Sequence, residues 1–137
     1  MDARLLTDKQ IGMISEADRK LLGIATMEEK MKKMEAKNER ELQRQIVQYL
    51  RLRGIEAIWH ATNKKSTATV GTPDILFAVR ANGIPMAVAF EIKFGTGTLS
   101  REQSDMCFRM QAAPNAWTVR VIRSFIEVVD FLRELNI

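Results

Sequence analysis

Cysteine and histidine are each present once in the 137 residues, at Cys107 and His60. A single cysteine excludes an internal disulfide and a cysteine-rich zinc site. A single histidine excludes a histidine metal triad and a two-histidine relay. Any metal chemistry must therefore rest on carboxylates. No apolar run approaches the roughly 18 residues that cross a bilayer, so no membrane association is expected. No repeat, low-complexity tract or basic tail is visible. The opening Met1-Asp2-Ala3-Arg4 lacks the apolar stretch of a secretory signal, and an intracellular, cytoplasmic location is expected.

What is present is the composition of a globular chain, 46% hydrophobic and 28% charged, large enough to bury one core without disulfide or metal support. The net charge of +4 suits a polyanionic partner but is weak evidence alone. Residues 1–38 contain 8 basic and 7 acidic groups, which leaves 13 and 10 of the totals of 21 and 17 for residues 39–137.

Residues 1–37 read as a helical extension. Ser15-Glu16-Ala17-Asp18 can cap a short helix ending at Gly23, and Thr26-Met27-Glu28-Glu29 is a capping box for a second. Met27, Met31, Met34 and Leu42 recur at helical steps from there. This amphipathic stretch suits docking on the domain, on a second subunit or on a partner protein. From residue 38 to 137 the pattern is α-β-β-β-α-β-α. Leu42, Ile46, Tyr49, Leu50 and Arg53 share a helical face ended by Gly54. Strands follow at Ile55–Trp59, Asp74–Val79 and Met86–Ile92, with Asn82-Gly83 as a hairpin turn. Ser100-Arg101-Glu102-Gln103 opens a helix, Trp117–Ile122 is a strand, and Ser124 caps the last helix. The expected class is α/β, a mixed sheet flanked by helices. Cys107, beside Met106 and Met110, is expected as a buried apolar group, and Trp59 and Trp117 as core or interface residues.

Glu91-Ile92-Lys93 is the most unusual triplet. Period two puts Glu91 and Lys93 on one face, at the end of an almost entirely apolar strand. A plain salt bridge or a solvated rim would also place charges there. Asp74, fixed by Pro73 at the start of the preceding strand, lies across an antiparallel hairpin from the end of the next. Asp74 and Glu91 should then meet, and two such carboxylates repel unless a proton or cation joins them. Mg²⁺ is suited to such a site, being a hard ion that accepts one or two carboxylates, waters and a phosphate oxygen, and Mn²⁺ can replace it. Lys93 could assist a metal-bound water or hold a phosphate. The bland reading of Asp74 alone is a strand or turn cap.

Gly71-x-Pro73-Asp74, then Phe90-Glu91-Ile92-Lys93, then Leu99-Ser100-x-x-Gln103 resembles the VRR-NUC branch of the PD-(D/E)XK nucleases. Glu41-Leu42-Gln43 in the first helix is similar to that family's early helical glutamate. The resemblance covers residues 38–137. It implies a restriction-endonuclease-like core in which Asp74, Glu91 and the Ile92 carbonyl hold the metal and Lys93 assists the attacking water. It also implies that Glu41 supports the site and that Gln103 touches the site or the DNA backbone. For Gln103 a capping role alone is a strong rival, and Glu41 also fits a solvated helix face.

The basic stretch Asn63-Lys64-Lys65-Ser66 leads into Gly71 and suits phosphate contacts, or else a solvated loop. His60 reads as structural. The function expected is Mg²⁺-dependent hydrolysis of phosphodiester bonds in DNA, leaving 5′-phosphate and 3′-hydroxyl ends, with branched, forked or junction substrates. A homodimer is expected, since two-fold pairing lets a small chain engage two strands. Stand-alone members of the branch are often encoded by phages, which would place the protein in a bacterial host. The alternatives are a non-cleaving nucleic-acid-binding scaffold, or a subunit that binds a replication or packaging protein through its N-terminal helix.

Overall fold

In the computed structural model of the chain, residues 16–59 and 70–137 are described. The chain divides into two units at Glu35. In the first, helix α1 (Glu16–Lys33) is continuous, which corrects the expectation of two short helices meeting between Gly23 and Thr26. An interior glycine costs only about 1 kcal/mol relative to alanine. The Lys32–Glu28 pair one turn apart (3.2 Å) and the basic last turn both favour the helix. The methionine run does not continue to Leu42, because the helix ends at Lys33 and Asn38 begins a new one. Met31 is buried, whereas Met27 and Met34 are exposed.

The second unit contains α2 (Glu39–Leu52), β1 (Ala57–Trp59), β2 (Ile75–Ala81), β3 (Ile84–Ile92), α3 (Arg101–Gln111), β4 (Thr118–Ile122) and α4 (Phe125–Glu134). This is the expected α-β-β-β-α-β-α order. The four strands form one sheet in the order β1-β2-β3-β4, antiparallel through β3 and parallel between β3 and β4. Asn82 and Gly83 both take positive φ (51° and 79°) between the paired Ala81 and Ile84. Such a two-residue turn follows the twist of its strands and locks their register.

Strand alternation sends two sets of side chains to opposite faces. Val88, Phe90 and Ile92 are fully buried on one face, where Phe90 meets the Phe77 and Phe131 rings edge-on at 5.1 and 5.4 Å. There α2 and α4 pack against each other, with Tyr49 edge-on to Phe125 at 5.0 Å. The other face carries Ala89 and Val119, which cluster with Cys107 of α3, and with Leu76, Met110 and Trp117 at the margin. Cys107 is thus buried as expected. Trp59 is not a core residue: it is 39% exposed on the short strand β1, at an edge of the sheet.

Gly71 fixes how the chain enters β2. Its φ is +86°, and a β-carbon there would overlap the Glu102 carbonyl oxygen and stand 2.7 Å from its carbon. Only glycine lets this segment touch the first turn of α3. Gly71→Ala should therefore destabilise the fold by roughly 1–3 kcal/mol or more, read as a lower urea midpoint. An unchanged midpoint would show that the contact does not exist in solution.

Candidate functional site

Ile75 pairs with Phe90, so the next step outward along the ladder sets Asp74 opposite Glu91. This is the expected juxtaposition across the hairpin. Asp74 stands just before β2, where its Oδ2 accepts from the Ile92 backbone N–H at 2.8 Å. The carboxylate thus completes the ladder where β2 has run out. Glu91 and Ala89 share a face, so Glu91 lies on the α3 side of the sheet and is only 1% exposed.

The start of α3 meets Glu91. Ser100 Oγ accepts from the Gln103 N–H (3.1 Å), and Gln103 Oε1 accepts from the Ser100 N–H (2.9 Å), which is a complete capping box. Gln103 Nε2 donates to Glu91 Oε1 at 2.9 Å. The two readings of Gln103 are therefore both present in one side chain: its oxygen caps the helix and its nitrogen holds Glu91. Glutamate in its place would keep the cap and lose the donor.

Among the described residues no donor reaches the buried Glu91 Oε2, although the Asp74 carboxyl lies close enough for one proton to bridge the two groups. Burial foremost, then the Asp74 charge and the hydrogen bond the two carboxyls can share, push the Glu91 carboxyl up to about 8, against the opposing pull of Lys93. Glu39 adds a smaller push in the same direction. Burial, and next the Glu91 charge, also raise the Cys107 thiol. A sealed carboxylate oxygen without a donor invites either a proton or a cation.

The residues present fit a hard divalent cation. Two carboxylates side by side, one with an unsatisfied buried oxygen, are the donors such an ion takes while keeping waters or phosphate oxygens. Among the described residues, no three histidine, cysteine or carboxylate side chains converge as a self-sufficient metal cage. The Ile92 carbonyl is the main-chain candidate for completing the protein ligands.

Asp74, Glu91, Lys93 and Gln103 are thus brought together, and Glu41 is not among them. Glu41 is exposed at the start of α2, where its Oε2 accepts from the Lys37 N–H (2.7 Å) and its own N–H donates to Asn38 Oδ1 (2.9 Å). The carboxylate of α2 whose charge reaches Glu91 is Glu39. The signal for it was in the sequence: Glu39 precedes the buried Leu42, Gln43 and Ile46 by three, four and seven residues, an acid on the apolar stripe. Asn63, Lys64, Lys65, Ser66 and His60 lie outside the described residues.

No protein-family model, curated protein or solved structure matches this chain.

The raised Glu91 carboxyl has a definite sign for stability. Between about 4.5 and about 8 the unfolded chain releases this proton while the folded chain keeps it. Metal-free protein should therefore lose stability as pH rises through that window and level off above it. Urea unfolding at pH 5, 6.5 and 8.5 measures the slope. The component assigned to this group should vanish in Glu91→Gln, and an identical profile in both proteins would refute the assignment.

Proposed function

We propose that this chain is a metal-dependent deoxyribonuclease with a restriction-endonuclease-like core, of the VRR-NUC branch of the PD-(D/E)XK nucleases. The observation that carries the reading is the buried Glu91 Oε2 beside Asp74, to which no described residue donates, with Lys93 close enough to act on the same carboxyl. Asp74, Glu91 and the Ile92 carbonyl would hold Mg²⁺ or Mn²⁺. When bound, such an ion supplies Lewis-acid polarisation of a phosphoryl oxygen and lowers the pKa of a bound water.

The protein's own side chains prepare that chemistry. The Ile92 N–H fixes one oxygen of Asp74, and Gln103 fixes one oxygen of Glu91. Each carboxylate is thereby held before any ligand arrives, which reduces the reorganisation left for the reaction. Lys93 supplies the positive charge: its ammonium can orient a water or hold an oxygen of the scissile phosphate. Glu39, rather than Glu41, is the helical carboxylate in a position to support the site. DNA is the substrate this reading implies, with branched, forked or junction forms engaged by a homodimer that offers one site to each strand. The methionine-bearing α1 is the segment for a replication or packaging partner.

The test is cleavage of labelled single-stranded, duplex, forked and four-way-junction DNA with Mg²⁺, Mn²⁺ or EDTA. Metal-dependent cutting should fall about a hundredfold or more in Asp74→Asn and Lys93→Ala. DNA binding without cutting of any substrate would replace this reading with a non-cleaving scaffold. Because proton and cation compete for the same carboxyl pair, Mn²⁺ should raise the melting temperature more at pH 8.5 than at pH 6. Equal shifts at the two pH values would exclude the pair as the metal site.

A further inference from the structure

The segment 93–99, which joins β3 to the Ser100 cap of α3, contains Gly95 and Gly97, with Gly95 at φ +61°. Its beginning is tied down by the sheet, since the Lys93 N–H donates to the Ile122 carbonyl at 3.0 Å. The next residue along, Arg123, ties down the turn. Its Nη1 donates to the Gly95 carbonyl at 3.1 Å and to the Gly97 carbonyl at 2.7 Å. The Gly97 N–H closes the turn on the Phe94 carbonyl at 3.2 Å. Gly97 faces the stem of Lys93 across an open gap: a β-carbon built on Gly97 would stand 3.8 Å from Lys93 Cδ.

We propose that Arg123 is a positioning residue for Lys93, acting by clamping the Phe94–Gly97 turn that follows Lys93 and borders its stem. The local chemistry favours a clamp over a chance surface contact. A Gly-Thr-Gly segment has wide backbone freedom and little side-chain anchorage of its own. One guanidinium nitrogen donating to two carbonyls removes that freedom at both ends of the turn. The planar guanidinium presents its donors in a fixed array, whereas a lysine at 123 would bring a single ammonium on a flexible stem. The main chain of Arg123 is itself fixed, because its N–H donates to Glu127 Oε2 at 2.6 Å within the start of α4. The clamp therefore transmits the position of the β4–α4 junction to the residue at the end of β3.

This inference rests on the nuclease reading for its kinetic consequence, and a second measurement stands apart from that reading. Arg123 is exposed, so Arg123→Ala should fold, with Arg123→Lys as the conservative partner and circular dichroism as the check. Hydrogen exchange of the 94–98 amides should speed up in Arg123→Ala and partly recover in Arg123→Lys. In a cleavage assay, kcat should fall about tenfold or more through displacement of Lys93. The KM for DNA should stay within about threefold, and Arg123→Lys should lie between Ala and the parent. Unchanged exchange in Arg123→Ala would overturn the clamp. A rise in KM with kcat intact would also overturn it and make Arg123 a phosphate contact instead, with a shallower salt dependence of DNA binding. If the parent protein cuts nothing, the nuclease reading falls and the exchange data alone decide the clamp.

Discussion

A carboxylate removed from water, as Glu91 is, loses hydration that only hydrogen bonds or opposite charge can replace. The second unit is organised around that deficit. Gln103 answers one oxygen from the start of α3, Lys93 brings a positive charge just beyond β3, and Asp74 brings a second negative charge from the start of β2. Two of these neighbours relieve the burial and one aggravates it. The Ile92 N–H could be met by a neutral acceptor without adding charge beside Glu91, so its hydrogen bond alone does not call for a carboxylate at Asp74. Retaining both carboxyl groups makes sense when a proton or cation is to be held between them.

The sheet topology explains why these groups meet at one end. The antiparallel β2–β3 pair brings the beginning of one strand to the end of the other, which delivers Asp74 to Glu91. The parallel β3–β4 pair does the converse: it lines up the two C-terminal ends, so Ile122 and Arg123 arrive beside Lys93. Helix α3 must start near the same end, since it forms the crossover from β3 to β4. Its N-terminus, the positive end of the helix dipole, therefore faces the carboxylates. A mixed sheet whose pairing switches from antiparallel to parallel at β3 gathers all of these groups at one end.

The order of elements in residues 38–137 was legible because each relied on a local signal. Asn82-Gly83 set a hairpin, Ser100 and Ser124 set helix starts, and the apolar runs were short enough, and bounded by turn residues, to choose strand over helix. Asp74 and Glu91 were legible for the same reason, since a tight turn fixes register and register fixes the opposing pair. Two kinds of feature were not. In α1, Gly23 and Thr26 resemble punctuation, yet the helix runs straight through them, an interior glycine costing only about 1 kcal/mol. In α2, the motif led to Glu41, whereas the periodicity of Leu42, Ile46 and Leu50 pointed to Glu39. A short pattern match tolerates a two-residue slip, but a helix does not: two positions rotate a side chain by about 200°, to the far side.

Gln103 and Gly71 show why the remaining motif letters belong together. A capping residue is ordinarily explained once its helix end is satisfied, and a glycine once its φ is positive. Here the Gly71 backbone lies against the Glu102 carbonyl, and the next residue, Gln103, spends its oxygen on the cap and its nitrogen on Glu91. The chain entering β2 therefore touches the same helical turn that holds the carboxylate of β3. Moving that turn would displace Asp74 through Gly71 and Glu91 through Gln103 together. Three sequence segments that look independent, Gly71–Asp74, Glu91–Lys93 and Ser100–Gln103, thus form one mechanical unit. The spacing between the two carboxyl groups is set by backbone contact rather than by their mutual repulsion.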